Sequence, residues 1–495
     1  MTTPSKKEFL EIVKNGKPTP LYQEISFLSP QSIYESIASS NSFLLESMKG
    51  PMKIARYSFI GFDPYAIFKV KNDLIEIEFS GNKKRVSGKP LNELKELVKS
   101  YKQSPSEDLP PFQGGAVGIL SYDFIQYLEK LPNTAVDDLG LPDAHFLIVD
   151  KIVAFDHQEE KCWVIICPGA NDAGRHSIDW SEKYDEAECE IEKVKKSIER
   201  RTRSPKTYSN TPTLNIAGKV EITYEMKKSE YMDIVKRAKE YIAAGDIFQA
   251  NLSQRVSSHV GDMDRWSIYK TLSLINPSPF AAFLNFGDYQ VVSSSPERLL
   301  RVRDGIIETR PIAGTRPRGR DWNEDEFMRA ELLLNEKERA EHIMLVDLER
   351  NDLGRVSDYG SVKVDEIMIT EDCSHVIHIV SNVAGKLGGG KDCFDSIKAA
   401  FPGGTITGVP KIRCMEIIEE LEPVKRGPYT GSAGYISFSG NMDLNIIIRT
   451  FVVKSERAYV QVGAGIVADS DPEREYHETL KKAEALLKTL ETVRS

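Results

Sequence analysis

Two groups of charged side chains stand out because of their spacing on stretches that are expected to be helical. Glu338 and Glu341 are three residues apart, and Glu475, Glu478 and Lys482 follow one another at intervals of three and four. In a helix the members of each group share one face. Two such faces brought together would offer the carboxylate oxygens that Mg²⁺ prefers, alongside water and substrate oxygens. Solvent-exposed glutamates with this spacing are more common, so both interpretations remain open.

A second group of residues is suited to holding an anion. Arg449 lies in the apolar run 446–453, which we expect to form one strand, and a guanidinium there is costly unless it pairs with a carboxylate. Tyr429 lies on a glycine-rich turn, and the Gly-Ala-Gly segment 463–465 follows a predicted strand, so that its N–H groups could hold an anion. Together these residues predict a small substrate with two negative charges, bound by arginine, tyrosine, backbone amides and magnesium.

The segment 401–411, with the sequence FPGGTITGVPK, superficially resembles a phosphate-binding loop. A true P-loop has Gly-Lys-Ser/Thr in succession, whereas Val409 and Pro410 separate the glycine from Lys411 here. The pattern therefore argues against a nucleotide site. The backbone and the Thr405 hydroxyl could still bind another oxyanion, or the segment could be a simple tight turn.

The composition narrows the class of protein. The 495 residues carry 65 Lys and Arg against 74 Asp and Glu, a net charge of -9, and 40% are hydrophobic. This mildly acidic balance lacks the basic patch of a nucleic-acid-binding protein, and no run approaches the roughly 18 apolar residues of a membrane span. The six scattered cysteines do not indicate a disulfide scaffold or a zinc site. We therefore expect a soluble, cytoplasmic enzyme with neither a nucleic acid nor a membrane as partner.

The chain divides by composition into three regions. Short strand-like runs dominate the first 200 residues and end in a charged segment with helical periodicity at 181–203. A stretch rich in Ser, Thr and Pro follows, so we predict an N-terminal region at 1–200, a linker at 201–221 and a catalytic region at 222–495. In the last region the patterns predict one helix at 324–345, a second at 472–491 and many strands without βαβ alternation, which indicates antiparallel sheets.

Several longer strings occur in an order that is typical of one family. They are GDIFQ at 245–249, NPSP at 276–279, SPE at 295–297, RPIAGTR at 310–316, AEHIMLVDLERND at 340–352, SHVIH at 374–378 and GAG at 463–465. In these motifs the sequence resembles the chorismate-utilising enzymes, specifically component I of anthranilate synthase and of aminodeoxychorismate synthase. The resemblance is strong over residues 222–491 and looser before them. It implies an α/β (α+β) fold in which two large antiparallel sheets face each other, flanked by helices.

The resemblance also implies ligands and residue roles. The ligands are chorismate and Mg²⁺, and the metal-binding residues would be Glu341 and Glu478, with Glu475 as an accessory candidate. The implied substrate-binding residues are Tyr429 and Arg449 at the enolpyruvyl carboxylate, Gly463, Ala464 and Gly465 near the ring carboxylate, and Lys482. The implied residues around the reacting ring are Glu297, His378, Thr405 and Ala313. Because a neutral hydroxyl leaves C4 poorly, we expect general acid–base catalysis from Glu297 or His378.

Two further ligands follow from the same resemblance. The enzymes of this family receive ammonia from a glutamine amidotransferase that has a cysteine nucleophile, and none of the six cysteines here has the flanking residues of such a nucleophile. We therefore expect the amidotransferase to be a separate partner subunit. Leu45, Glu46 and Ser47 match an element that binds L-tryptophan, either as a feedback switch or as a purely structural ligand.

Single positions divide between the two candidate products. Ala313 stands where many aminodeoxychorismate synthases have a lysine that bonds to C2 of the ring, and alanine there favours anthranilate synthase. Ala281, Gly403 and Glu349 depart from the usual residues of anthranilate synthases, while Asn251 and Asn445 also resemble the aminodeoxychorismate group. The balance predicts Mg²⁺-dependent amination of chorismate to 4-amino-4-deoxychorismate. The alternatives are conversion to anthranilate plus pyruvate and a non-catalytic chorismate-binding module.

Overall fold

The computed structural model describes residues 1–172, 177–203, 220–372 and 376–493. Within these residues, 24 strands form two sheets of twelve strands each, and every pairing inside the sheets is antiparallel. Helices flank both sheets. The predicted fold class, two large antiparallel sheets flanked by helices, is confirmed.

The strands are numbered β1 to β24 along the chain. The first sheet contains β1 (Leu21–Ile25), β2 (Ser42–Glu46), β3 (Tyr57–Gly61), β9 (Lys151–Asp156), β10 (Lys161–Ile166), β11 (Ile222–Tyr224), β12 (Gln249–His259), β13 (Phe280–Asn285), β14 (Tyr289–Ser295), β20 (Gly408–Val409), β23 (Thr450–Lys454) and β24 (Arg457–Ile466). The second contains β4 (Ala66–Lys71), β5 (Leu74–Phe79), β6 (Asn82–Val86), β7 (Gly115–Leu120), β8 (Ala144–Val149), β15 (Arg298–Arg303), β16 (Ile306–Thr309), β17 (Ile312–Pro317), β18 (Lys363–Asp372), β19 (Val376–Lys386), β21 (Ser432–Ser437) and β22 (Met442–Ile446).

The helices among the described residues are α1 (Lys6–Lys14), α2 (Pro30–Ile37), α3 (Pro90–Lys99), α4 (Trp180–Arg203), α5 (Lys228–Ala243), α6 (Arg265–Ile275), α7 (Trp322–Leu334), α8 (Glu336–Gly354), α9 (Cys393–Ala400), α10 (Lys411–Leu421) and α11 (Pro472–Val493). Helix α8 packs on β17 and β19 of the second sheet, whereas α11 packs on β24 of the first. No helix in the described part of the chain is long and apolar enough to cross a membrane.

An apolar core joins the facing sheets. Phe43 and Phe59 from the first sheet and Val117 and Leu147 from the second belong to one buried cluster. Burial of apolar surface stabilises this arrangement by about 25 cal/mol per Å² removed from water. Strands from before residue 200 and after residue 222 pair within both sheets, as β2 does with β13 and β7 with β21. Each sheet therefore contains strands from both the predicted N-terminal region and the predicted catalytic region.

The chain passes from one sheet to the other at two places that matter for the site. Strand β14 of the first sheet is followed at Pro296 and Glu297 by β15 of the second, and β22 of the second is followed at residues 447–449 by β23 of the first. The prediction of one strand over 446–453 was therefore wrong. Arg449 ends the break with φ +51°, a left-handed conformation that interrupts an extended strand.

Two other predicted boundaries differ from the structure. The helix predicted at 324–345 is two helices, because the Asn335 side chain accepts a hydrogen bond from the Glu338 backbone N–H at 3.1 Å and starts a new helix. The linker predicted at 201–221 begins inside the end of α4, and residues 204–219 lie outside the described residues. The C-terminal helix predicted at 472–491 is confirmed as α11, which begins at Pro472.

The Gly-Ala-Gly segment is also placed differently from its prediction. Residues Gly463, Ala464 and Gly465 are not a loop after a strand but part of β24 itself, paired with Ser253, Leu252 and Asn251 of β12. The physical reason is the length of β12, whose eleven residues continue the pairing through this segment. The segment is therefore not a free turn, and a Cβ atom on Gly463 or Gly465 would meet neighbouring side chains.

Candidate active site

Hydrogen bonds between the two sheet-to-sheet crossings fix Glu297 and Arg449 in the structure. The Ser294 backbone N–H donates to the Arg449 carbonyl at 3.1 Å, and the Ile446 N–H donates to the Glu297 carbonyl at 3.0 Å. The Ser295 hydroxyl donates to the Ile446 carbonyl at 2.6 Å. The crossings therefore run side by side, and they hold a carboxyl and a guanidinium near each other between the sheets.

The Glu297 carboxyl is buried, with 5% of the residue exposed, and its Oε1 atom has no hydrogen-bond partner among the described residues. Burial raises the pKa of Glu297 to about 7, and the nearby Thr405 hydroxyl, Ile312 backbone N–H and Arg449 guanidinium oppose that rise. A carboxyl with this pKa exchanges a proton near neutral pH, which suits a general acid or base.

His378 lies on β19 beside the same groups. Its Nδ1 atom is 2.9 Å from the Thr315 hydroxyl and 3.4 Å from the Gly314 carbonyl, whereas Nε2 has no partner among the described residues. Burial and the Arg449 guanidinium lower the pKa of His378 to about 4. The imidazole is therefore neutral at physiological pH, so it can accept or donate one hydrogen bond without carrying charge.

Two other predicted residues, Thr405 and Ala313, adjoin the elements that carry Glu297 and His378. Thr405 is in a short 3₁₀ turn at Gly404–Ile406, and its hydroxyl lies beside the Glu297 carboxyl. Ala313 lies on β17 opposite Ile379, next to a bulge before Thr315. Glu297 Oε1 and His378 Nε2 thus lack hydrogen-bond partners among the described residues, and both side chains lie near Arg449, as expected where a ligand would complete the hydrogen bonds.

Tyr429 is positioned by a buried ion pair that the sequence did not reveal. Arg426 and Glu422 are 1% and 3% exposed at their side chains and lie 2.6 Å apart, and the Arg426 guanidinium is 5.7 Å from the centre of the Tyr429 ring. Arg426 also donates to the Asn251 carbonyl at 2.6 Å, so the pair ties this turn to β12. Pro423 directly follows Glu422 and argues against a helix there. The four-residue spacing of Glu422 and Arg426 therefore did not predict an ion pair on one helix face.

The Gly-Ala-Gly segment adjoins this turn. A Cβ atom on Gly463 would lie 2.5 Å from Asn251 Oδ1 and 2.7 Å from the Tyr429 hydroxyl, so only glycine leaves room for both side chains. Lys482 on α11 donates to the Gly463 carbonyl at 3.0 Å and lies 2.8 Å from Glu478. The predicted substrate-binding residues Tyr429, Gly463 and Lys482 are therefore close neighbours.

The predicted metal ligands come from two helices on opposite sheets. Burial raises the pKa of Glu341, and the carboxylates Glu338, Glu475 and Glu478 raise it further. Burial also raises the pKa of Glu475, with Glu478 adding to that rise and the Ser470 hydroxyl opposing it. These carboxylates repel one another, and a divalent cation would relieve the repulsion.

The described residues contain no group of three or more His, Cys, Asp or Glu side chains that could hold a metal on their own. A hard cation that keeps several water or substrate oxygens fits this arrangement, because Mg²⁺ usually takes only one or two protein carboxylates. Magnesium at Glu341 and Glu478, with Glu475 as accessory, stays a prediction.

The tryptophan-site candidates lie elsewhere, at a separate cavity of about 370 Å³ lined by Leu45, Glu46 and Ser47 together with Arg298 and Asp443. The Glu46 carboxyl accepts hydrogen bonds from the Tyr269 hydroxyl at 2.6 Å and from the Gln31 amide at 3.1 Å. Burial raises the pKa of Glu46. The cavity is large enough for an amino acid, and binding of L-tryptophan there stays a prediction.

Comparisons with known proteins show the family of the chain. The family described as "chorismate binding enzyme" matches residues 40–488. The chain belongs to this family. The predicted family resemblance is therefore confirmed, whereas the place of the ligand site and the roles of its residues remain predictions.

The relatives in the family carry two different names. Anthranilate synthase component 1 of Acetivibrio thermocellus is 45% identical over 94% of this chain and 93% of its own length. Aminodeoxychorismate synthase component 1 of Bacillus subtilis is 44% identical over 96% of this chain and 97% of its own length. The crystal structure of anthranilate synthase component I from Streptococcus pneumoniae has a TM-score of 0.77 at 36% identity and covers 94% of this chain and 99% of its own. Such similar identities do not distinguish the two activities.

We predict that the buried ion pair behind Tyr429 is essential to stability. Glu422→Gln leaves the Arg426 guanidinium buried without its counter-charge, so the free energy of unfolding should fall by about 3–5 kcal/mol. Urea unfolding followed by circular dichroism measures the change.

The matched control is Glu420→Gln, two residues earlier, where the carboxylate pairs with Arg237 at the surface. Removing this exposed ion pair should change the free energy of unfolding by about 1 kcal/mol or less. Equal effects of the two substitutions would mean that the buried pair does not stabilise the turn.

Proposed function

We propose that this member of the family aminates chorismate to 4-amino-4-deoxychorismate, with Mg²⁺ as cofactor and with ammonia from a glutamine amidotransferase subunit. The turn that carries Thr405 is the observation that favours this product. A Cβ atom on Gly403, where anthranilate synthases usually have alanine, would lie 3.0 Å from Ile446 Cδ1 and 3.2 Å from Leu299 Cδ1. An alanine would require the side-chain ends of Ile446 and Leu299 to move by a few tenths of an ångström, so glycine allows this turn to pack closely on β15 and β22.

The second candidate, anthranilate synthase component I, is favoured by one position. Ala313 has no lone pair, so it cannot form the covalent bond to C2 that a lysine forms in many aminodeoxychorismate synthases. Both candidates begin with the same substrate and the same site. They differ in the fate of an intermediate aminated at C2, which loses pyruvate to give anthranilate or reacts again to give the C4 amine.

Each predicted residue has a role in binding. Arg449 and the Tyr429 hydroxyl hold the enolpyruvyl carboxylate, since a guanidinium fork matches a carboxylate. The backbone at Gly463 to Gly465 and Lys482 face the ring carboxylate. When bound at Glu341 and Glu478, Mg²⁺ supplies positive charge to that ring carboxylate.

The reaction balances with ammonia as the only nucleophile. Ammonia bonds to C2 while the ring double bonds shift and the C4–O bond breaks; the departing oxygen takes the proton of Glu297 and leaves as water. The new ammonium group on C2 then returns a proton to the Glu297 carboxylate. A second ammonia bonds to C4, the double bonds shift back, and the C2–N bond breaks as Glu297 protonates the first nitrogen, which leaves as ammonia. The new ammonium group on C4 then returns a proton to the Glu297 carboxylate.

The neutral imidazole of His378 has a supporting role in this scheme. With its pKa lowered to about 4, it is not protonated at neutral pH and is not the acid for the C4 hydroxyl. Its Nε2 atom, which lacks a partner among the described residues, offers the substrate one hydrogen bond. This leaves Glu297 as the group whose proton assists the departure of the hydroxyl.

The decisive test is to identify the product. The purified chain, supplied with chorismate, Mg²⁺ and ammonium, should produce 4-amino-4-deoxychorismate, with small amounts of the 2-amino intermediate and no protein-bound adduct by intact mass. Ala313→Lys provides a matched variant, because the added amine should produce the adduct that the native alanine cannot form.

Fluorescent anthranilate formed together with an equal amount of pyruvate would establish the second candidate instead. Binding of chorismate without any turnover would indicate a non-catalytic chorismate-binding module.

The metal proposal has a separate test. Glu478→Gln removes a negative ligand from a hard cation, so the rise in melting temperature produced by Mg²⁺ in the native chain should disappear, together with turnover. Glu473→Gln on the same helix is the control, since Glu473 pairs with Lys228 at the surface. A Mg²⁺-dependent rise that is preserved in Glu478→Gln would refute the assignment.

A further inference from the structure

The imidazole of His378 lies beside a bulge in the neighbouring strand. Strand β17 pairs with β19 at Thr315 and His378, and the register shifts just before this pair, so that Gly314 is the extra residue of the bulge. Gly314 has a left-handed φ of +68°, and a Cβ atom there would lie 2.9 Å from Glu338 Oε2. The bulge therefore requires glycine, and it leaves the Gly314 carbonyl 3.4 Å from His378 Nδ1.

Two oxygen atoms lie next to Nδ1 of His378, the Thr315 hydroxyl at 2.9 Å and the Gly314 carbonyl at 3.4 Å. A carbonyl oxygen can only accept a hydrogen bond, whereas a hydroxyl can accept or donate. If Nδ1 carries a proton, both oxygens accept it in one shared hydrogen bond. If Nδ1 is bare, its lone pair faces those of the Gly314 carbonyl and only Thr315 can satisfy it. The geometry therefore favours a proton on Nδ1.

The neighbours of this group are compatible with that proton position. Thr315 is exposed, so its own hydroxyl proton can go to water while its oxygen accepts from Nδ1. Glu371 lies opposite His378 on β18, but its carboxylate forms a close ion pair with Arg310. Glu371 therefore has a partner other than the imidazole.

The second ring nitrogen of His378 is then an acceptor. In a neutral imidazole with its proton on Nδ1, the lone pair lies on Nε2. Only 4% of His378 is exposed, and Nε2 has no hydrogen-bond partner among the described residues. A buried acceptor without a partner costs free energy, which a ligand that donates to it would recover.

We propose that Gly314 and Thr315 are positioning residues that hold a proton on Nδ1 of His378, so that Nε2 accepts a hydrogen bond from an N–H or O–H group of the bound ligands. The choice of ligand rests on the proposed function. Chorismate has one hydroxyl, at C4, and ammonia has N–H groups, whereas the carboxylates and the ether oxygen of chorismate only accept. The bare Nε2 therefore selects the C4 hydroxyl or ammonia and disfavours a carboxylate at this position.

Nuclear magnetic resonance of the chain with ¹⁵N-labelled histidine tests the position of the proton. The chain has eight histidines, and the ring signals that disappear in His378→Gln identify those of His378. At neutral pH the ring proton should be coupled to Nδ1, and Nε2 should have the chemical shift of a bare ring nitrogen. A proton on Nε2 instead would overturn the proposal.

Substitutions at Thr315 test its positioning role. Thr315→Val keeps the shape but removes one of the two acceptors, so the signal of protonated Nδ1 should weaken and kcat/KM for chorismate should fall about fivefold, which corresponds to one net hydrogen bond. Thr315→Ser restores the hydroxyl and should restore both.

Thr370→Val is the matched control. Thr370 lies on β18 opposite Ile379, the residue after His378, and its hydroxyl accepts from Arg329 at 3.4 Å. Adjacent residues of a strand point to opposite faces, so this substitution should leave the His378 signals and kcat/KM unchanged. Native signals and a native rate in Thr315→Val would overturn the proposal.

Titration of the labelled chain with each ligand identifies the donor. A shift of the Nε2 signal with chorismate alone assigns the C4 hydroxyl, and a shift that requires ammonium assigns ammonia. An Nε2 signal that moves with neither would overturn the acceptor role. These spectra do not depend on the product, so a chain with bare Nε2 that forms anthranilate would reject the proposed function and leave the position of the proton standing.

Discussion

Three hydrogen bonds join the two places where the chain crosses between the sheets, and the candidate active site depends on them. They connect Ser294 to Arg449, Ile446 to Glu297 and Ser295 to Ile446. Each crossing alone would be a connection between two strands. Held side by side, they bring the Arg449 guanidinium close to the buried Glu297 carboxyl.

Exclusion of water from this space determines the charges in it. Burial raises the pKa of Glu297 to about 7 and, together with Arg449, lowers that of His378 to about 4. One group therefore holds a proton near neutral pH and the other does not. The buried Arg426–Glu422 pair, with its charged atoms 2.6 Å apart, supports the Tyr429 ring from behind.

The sequence was sufficient to predict the family and the fold class, because long motifs and strand-rich patterning are local features. It was not sufficient to predict where a strand changes sheet. The run 446–453 is apolar apart from Arg449 and Thr450, and only the pairing of β22 with one sheet and of β23 with the other separates its halves. The break at Asn335 and the pairing of 463–465 with β12 likewise depend on competing hydrogen bonds. Glu349 is buried and accepts a hydrogen bond from the Gly404 N–H, in the turn that carries Thr405. Helical periodicity alone does not reveal this contact, because it depends on tertiary packing.

The central claim is that one ligand site lies between the sheets, with Arg449 and Tyr429 at one end, Glu297, His378 and Thr405 around the ring, and the glutamates of α8 and α11 at the other end. A crystal structure of the Glu297→Gln variant with chorismate and Mg²⁺ tests it most directly. The account predicts the enolpyruvyl carboxylate on Arg449 and Tyr429, the ring carboxylate near Mg²⁺ held by Glu341 and Glu478, and C4 facing residue 297. Chorismate bound in any other place, or in this site with its two carboxylates exchanged, would contradict it.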